Sequence, residues 1–256
     1  MKRLVGVCLC MGMVGAASVV STASASEPVP SGTVGMLFNH EHLNNGSPDW
    51  NETGVRLNYT LAPRHAFELA VARTERFDLQ DRQLGALYVA PLSRELTGSL
   101  EANASSTHRV LARNAFGATL QYEFAPTWLL HGGVKTTRYE TVRVNQALLM
   151  LEHYFSDFSW AVAWRPARAF GTNANSAEVR GSYYYGDKNS IGVILARGKE
   201  AASIGNAVTL TDLRSAALVG RHWLNREWAL NYGIGSTRQG NFYVRNGMTL
   251  GVQYAF

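Results

Sequence analysis

Two histidines two residues apart, His40 and His42 within Asn39-His40-Glu41-His42, are the best local candidates for chemistry in this chain. On a strand, residues i and i+2 share a face, so the two imidazoles could be offered together to a metal ion. The spacing differs from the H-E-x-x-H of zinc hydrolases. His40 and His42 also share parity with Val34, Met36 and Phe38, which makes a polar rim just beyond an apolar band the plainer reading. His40, Glu41 and His42 are therefore expected at such a rim, and no metal site is assigned. His108 lies near Ser105 and Ser106, with no carboxylate close in sequence to orient it. A Ser-His-acid site can be gathered from distant strands, but no nucleophile signature such as G-x-S-x-G supports one here. His131, His153 and His222 occur singly and read as interior hydrogen-bonding groups. Gly233-x-Gly235 lacks the third glycine and the following helix of a nucleotide fingerprint. No catalytic residue and no cofactor is assigned.

Charge is more informative than histidine. Arg56, Arg165, Arg180 and Arg245, together with Glu68, Glu101 and Glu123, fall on the faces opposite apolar residues. Lys135, Glu52 and Glu152 fit the same arrangement. Two readings compete. The charges form a mixed ladder that fills and stiffens an interior, each pair offsetting the other's desolvation. Alternatively, the guanidinium groups line an open path and attract anionic solutes, as charge rings do in selective channels.

What must position these residues is a series of alternating segments of roughly ten residues separated by turn residues, the pattern of a membrane β-barrel. The final segment is the clearest. Phe242, Val244, Met248, Leu250, Val252, Tyr254 and Phe256 share one face, against Tyr243, Arg245, Gly247, Thr249, Gly251 and Gln253. Elsewhere Val55, Leu57 and Tyr59 oppose Arg56 and Asn58, and Phe116, Leu120 and Tyr122 oppose Gly117, Thr119 and Gln121. In a soluble barrel the apolar set would fill the inside. Here it is assigned to lipid, because the signal peptide, the terminal Phe256 and the aromatic rims break the tie. An arginine facing the bilayer midplane would then cost about 2–4 kcal/mol, so Arg56, Arg165, Arg180 and Arg245 are expected in the lumen or at a rim. Arg73 shares parity with Val71, so it is expected at or beyond the interface.

Six tight turns flanked by aromatic residues mark one end of the barrel: Ala62-Pro63-Arg64, Pro91 to Arg94, Ala125-Pro126-Thr127, Ser156-Asp157, Gly186 to Asn189, and Leu224-Asn225-Arg226. Pro, Asp, Asn and Gly have mechanical reasons to turn a chain there. Six such hairpins, with both chain ends on the same side, predict about 14 antiparallel strands running up and down, with 12 as the alternative. The segments around Leu84 to Ala90 and Leu213 to Trp223 alternate poorly. Leu43 to Asp49, Pro166 to Asn175 and Glu200 to Asp212 read as the longer loops at the other end.

The start of the chain agrees with export. Lys2-Arg3, an apolar run from Leu4 to about Val20 and Ser21 to Ala25 form a signal-peptide pattern. The expected organisation is a signal peptide at 1–25, a short periplasmic segment at 26–31 and a barrel at 32–256. Cys8 and Cys10 both fall in the signal, which leaves the mature chain without thiol chemistry. The net charge of +5 is scattered rather than clustered, which argues against a nucleic-acid partner.

The segment Phe38-Asn39-His40-Glu41-His42-Leu43, then Trp50-Asn51-Glu52, then the meandering strands ending at Tyr254-Ala255-Phe256, resembles the YaiO family of outer-membrane β-barrel proteins. The resemblance runs from about Gly32 to Phe256 and implies an outer-membrane barrel of unassigned biochemical role. An aromatic-x-Phe ending is similar to the final strand of bacterial outer-membrane barrels, which implies that Tyr254 and Phe256 are read by the barrel-assembly machinery. The expected function is a monomeric channel or export conduit in the bacterial outer membrane, in contact with its lipid. Its solute would be a saccharide or another small polar or anionic molecule. The alternatives are a structural or adhesion barrel acting through its loops and, third, a lipid-modifying enzyme at the outer rim.

Overall fold

In a computed structural model of the protein, the structure describes residues 32–256 except 187, 205 and 206, and describes the backbone alone at 200–210. The segments expected at 1–25 and 26–31 lie outside the described residues. Fourteen strands form one closed antiparallel barrel in which each pairs with its sequence neighbours and the last pairs with the first. They are β1 (Gly32–Leu43), β2 (Trp50–Ala62), β3 (His65–Arg76), β4 (Leu79–Pro91), β5 (Leu96–Ser105), β6 (Asn114–Ala125) and β7 (Trp128–Arg138). The circuit continues with β8 (Arg143–Phe155), β9 (Phe158–Ala169), β10 (Thr172–Tyr185), β11 (Asn189–Ile204), β12 (Ala207–Trp223), β13 (Trp228–Gln239) and β14 (Tyr243–Ala255). Closure removes the free sheet edge. It is sealed by paired backbone bonds, Gly32 N–H to Phe256 O at 3.0 Å and Phe256 N–H to Gly32 O at 2.9 Å.

The period of two decides which residues meet which surroundings. Leu43, Trp50, Thr74 and Asp81 share one parity across neighbouring strands and are almost fully buried, so that parity points inward. The other parity carries exposed apolar side chains all round the wall, including Met36, Val71, Leu100, Val134, Val162 and Ile234. Arg56, Glu68, Glu101, Glu123, Arg165, Arg180 and Arg245 all occupy inward positions.

The turns at the end carrying the chain termini fall where the sequence places them, with Asp187 outside the described residues. Arg64, Thr127 and Ser156 take positive φ there. Outward aromatic rings collect at this end. Trp128 stacks on His153 at 3.9 Å, Phe158 packs on Tyr183 at 4.9 Å, and Trp228 packs on Tyr254 at 4.9 Å. His153 and His222 belong to this girdle, the latter stacked beside Tyr185 at 6.2 Å. They face outward rather than inward, which corrects the expectation of interior hydrogen bonds for both.

The opposite end, called the loop end here, differs from expectation in two places. Pro166 to Asn175 is not a loop. β9 continues to Ala169 and β10 starts at Thr172, leaving only Phe170 and Gly171 between them, both at positive φ. Glu200 to Asp212 is likewise strand for most of its length, as the ends of β11 and β12. Strands that rise past the apolar band keep their backbone pairing but no longer need apolar outward side chains, so their sequence looks like loop. The longest connection at this end among the described residues is 106–113, between β5 and β6.

Candidate functional site

The lumen is where the charged residues meet. Glu178 on β10 is almost fully buried and serves two arginines: Arg165 from the adjacent β9, with Nη1 to Oε2 at 3.4 Å, and Arg180, whose Nε donates to Oε1. Arg56 Nε lies 3.1 Å from Glu68 Oε1 across β2 and β3. Arg245 Nη1 lies 2.9 Å from Glu41 Oε2 across the β14–β1 seam. Lys135 Nζ on β7 reaches Glu101 Oε1 on β5 at 3.0 Å by passing over the intervening β6 at Gly117. A Cβ at Gly117 would sit 2.4 Å from that same carboxylate oxygen, so this glycine makes room for the ion pair. His131, inward as expected, hydrogen-bonds Glu152 at 3.0 Å. Glu123 stays at the terminal end, accepting from Thr127 N–H at 3.4 Å.

Two inward groups were not singled out from the sequence. Asp81 accepts hydrogen bonds from Thr107 Oγ1 at 2.5 Å, Val110 N–H at 2.7 Å and Leu111 N–H at 2.8 Å. It therefore holds the 106–113 connection on the lumen side of the mouth. Arg221 donates through Nε to Asn231 Oδ1 at 2.9 Å. Both belong to the poorly alternating strands β4 and β12. The remaining signal was charge at an inward parity.

The lumen is unevenly filled. Near the loop end, Trp50 projects inward from β2 and is 2% exposed. The guanidinium carbons of Arg76 and Arg245 lie 4.7 and 4.5 Å from its ring centroid. Phe77 and Tyr243 pack edge-on at 5.3 and 6.2 Å. Cations over an indole face are held by its quadrupole, and more strongly away from water. This assembly blocks one side of the mouth. The other side, along the wall from β3 to β10, borders an open cavity of about 1140 Å³ whose inward lining includes Glu68, Leu87, Glu101, Lys135, Gln146 and Ala167.

The rim candidates separate. His40 and His42 face outward, and Glu41 faces inward to Arg245. His40 Nδ1 hydrogen-bonds Asn51 Oδ1 at 2.8 Å, and His42 Nδ1 hydrogen-bonds Asp49 Oδ1 at 2.9 Å. No group of three or more metal-ligating side chains is gathered among the described residues. His108 finds its carboxylate in the next connection, with Nε2 2.8 Å from Glu140 Oε2, while Ser105 accepts from Gln83 at 3.4 Å instead. Arg73 lies on the outward face beyond the apolar band and donates to Gln80 Oε1 at 2.7 Å.

A family model described as the YaiO membrane beta barrel domain matches residues 31–203. The chain belongs to the YaiO family. The matched span runs from the start of β1 nearly to the end of β11, and the remaining strands complete the same YaiO barrel. No curated protein matches the sequence. Among solved structures, the barrel is similar to the CymD monoaromatic hydrocarbon channel, at 9% identity over 88% of each chain and a TM-score of 0.62. It is similar to a bacterial polysaccharide outer membrane secretin, at 8% identity over 89% of this chain and 99% of that one, with a TM-score of 0.58. It is also similar to the outer membrane protein Omp33 of Acinetobacter baumannii, at 10% identity over 89% and 100%, with a TM-score of 0.55. At these identities the likeness is one of fold.

Proposed function

We propose that this barrel is an outer-membrane channel for small polar solutes, saccharides among them. It would act as a monomer with its chain ends in the periplasm and its loop end outside, with Tyr254 and Phe256 as the feature read by the assembly machinery. The observation that carries the reading is the cavity of about 1140 Å³ along the β3–β10 wall, where a structural barrel would pack side chains. Eight-strand barrels fill their interiors and barrels of 16–18 strands hold water, so fourteen strands leave the outcome to the side chains. Here small residues such as Ala167, Ala174 and Gly117 line the open half. Channels also occur among the proteins of similar fold.

The ion pairs refine the solute. Arg56, Lys135, Arg165, Arg180 and Arg245 each face a carboxylate within 4 Å. A wall of paired charge presents donors and acceptors to hydroxyl groups with little net field. It suits a neutral polar solute better than an anion; among the described residues Arg221 is an inward cation whose partner is an amide, Asn231, rather than a carboxylate. Trp50 and the tethered 106–113 connection narrow the mouth. Planar-bilayer recording of the refolded mature chain tests the reading. Discrete conductance steps reduced by added oligosaccharide support it, and a silent bilayer with protein inserted rejects it.

A further inference from the structure

The outward face at the loop end carries arginines opposite arginines. Arg73 faces Arg82 across β3 and β4, and Arg138 faces Arg143 across β7 and β8. Arg214 on β12 lies between Arg197 on β11 and Arg238 on β13. All are exposed. Like charges directly opposite in a sheet destabilise it, and among the described residues none of these side chains has a carboxylate within 4 Å. Of the nearby outward acids, Asp212 stands opposite Lys199 and three others are engaged elsewhere. Glu75 accepts from Gln80, Asp49 bonds His42, and Glu140 bonds His108.

Their height fixes what they meet. Val71, Leu84, Val134, Leu195 and Ile234 stand on the same outward face two to four residues nearer the barrel's middle, exposed as a lipid-facing band. The arginines therefore sit just past that band, level with headgroups. The opposite rim has aromatic rings in the same position, so the cations mark one leaflet. Between β10 and β11 the wall also parts. The last paired residues are Ser176 and Gly198, and beyond them a cleft of about 360 Å³ opens, lined by Asn173, Asn175, Arg197, Lys199 and Asp212. Two amides and two cations there can donate to one phosphate, with Asp212 opposite Lys199 in register. Guanidinium groups match phosphate oxygens in paired fashion.

We propose that this belt binds the phosphate groups of a phosphorylated glycolipid in the outer leaflet, with the β10–β11 cleft as one seat. The proposal rests on the outer-membrane orientation given above. Lipid phosphate supplies the counter-charge that these arginines lack within 4 Å among the described residues.

The test uses the full mature barrel, refolded in detergent, and measures bound lipid by native mass spectrometry. The probes are a bis-phosphorylated lipid A-type glycolipid, the same glycolipid without phosphate, and inorganic phosphate. Binding of the bis-phosphorylated form at least about tenfold tighter than the other two is expected, given the strength of charge-assisted hydrogen bonds. The triple variant Arg197→Gln/Arg214→Gln/Arg238→Gln loses that preference, and Arg→Lys at the same three positions recovers part of it. Equal binding of both glycolipids, or an unchanged preference in the triple variant, overturns the proposal. Inorganic phosphate binding as tightly as the lipid also overturns it. If the triple variant does not refold, Arg73→Gln/Arg82→Gln on the other side of the barrel takes its place. Conductance is a separate readout, so a barrel that conducts without lipid preference contradicts this inference alone.

Discussion

Arg165 and Arg180 on the lumen wall share Glu178, whereas Arg197, Arg214 and Arg238 run side by side on the outer wall with no carboxylate within 4 Å among the described residues. The two groups stand on opposite faces of the same wall. Inside, the chain supplies its own counter-charges, because the interior offers limited water and nothing else to neutralise a guanidinium. Outside, at the loop end, these three arginines have no carboxylate within 4 Å among the described residues, which is why anions in the surroundings are proposed as their counter-charge. The pairing of a charge therefore reports its solvent. Apolar against polar alternation separates the two faces of a ribbon but does not report what lies beyond each.

The largest break in that contrast is Glu178→Ala. It strands two inward arginines and is expected to lower unfolding free energy by about 3 kcal/mol, the low end for a broken buried pair because lumen water reaches the arginines. Urea titration of the refolded barrel reads this, and a loss below about 1 kcal/mol would show the pair to be fully hydrated. Trp50→Ala comes next. It removes the ring over which Arg76 and Arg245 rest and is expected to cost about 2–3 kcal/mol, somewhat less than aromatic truncation in a sealed core.

Asp81→Ala probes an inward carboxylate whose partners are N–H and O–H groups rather than a cation. Leaving Val110 and Leu111 N–H without acceptors is expected to cost about 2 kcal/mol. Hydrogen exchange at those two amides accelerates if Asp81 tethers the 106–113 connection. Gly117→Val is smaller, at about 1–2 kcal/mol, because the new side chain pushes Glu101 off Lys135 while both keep access to water. The smallest effect belongs to the outer wall. Arg214→Gln in phosphate-free detergent is expected to change stability by no more than about 0.5 kcal/mol, and a large loss would contradict its lack of an internal partner.

The terminal end of this barrel was legible because its turns are forced. Pro63, Pro126, Asp157 and Asn225 each sit between aromatic residues that must lie at an interface, and the strand count follows from them. The loop end was less legible for a physical reason. Above the apolar band, Arg168, Asn173 and Asn175 face water or headgroups, so the alternation of greasy and polar residues ceases although β9 and β10 go on pairing. Interior charges were readable where the opposite face is strongly apolar, as at Arg56, Glu101 and Arg180. They were missed on β4 and β12, where Leu87, Val89 and Val219 put apolar side chains inside as well. His153 and His222 were misplaced because an imidazole serves equally as a hydrogen-bonding group and as a flat ring, and here both lie among the outward aromatic rings.

That the open half of the lumen is a path for solutes is tested most directly by single-channel recording of the refolded mature protein beside Trp50→Ala. Ohmic steps with little preference between small cations and anions, growing larger in Trp50→Ala, are the predicted result. Inserted protein that stays electrically silent both with and without Trp50 would show that the cavity does not connect the two sides.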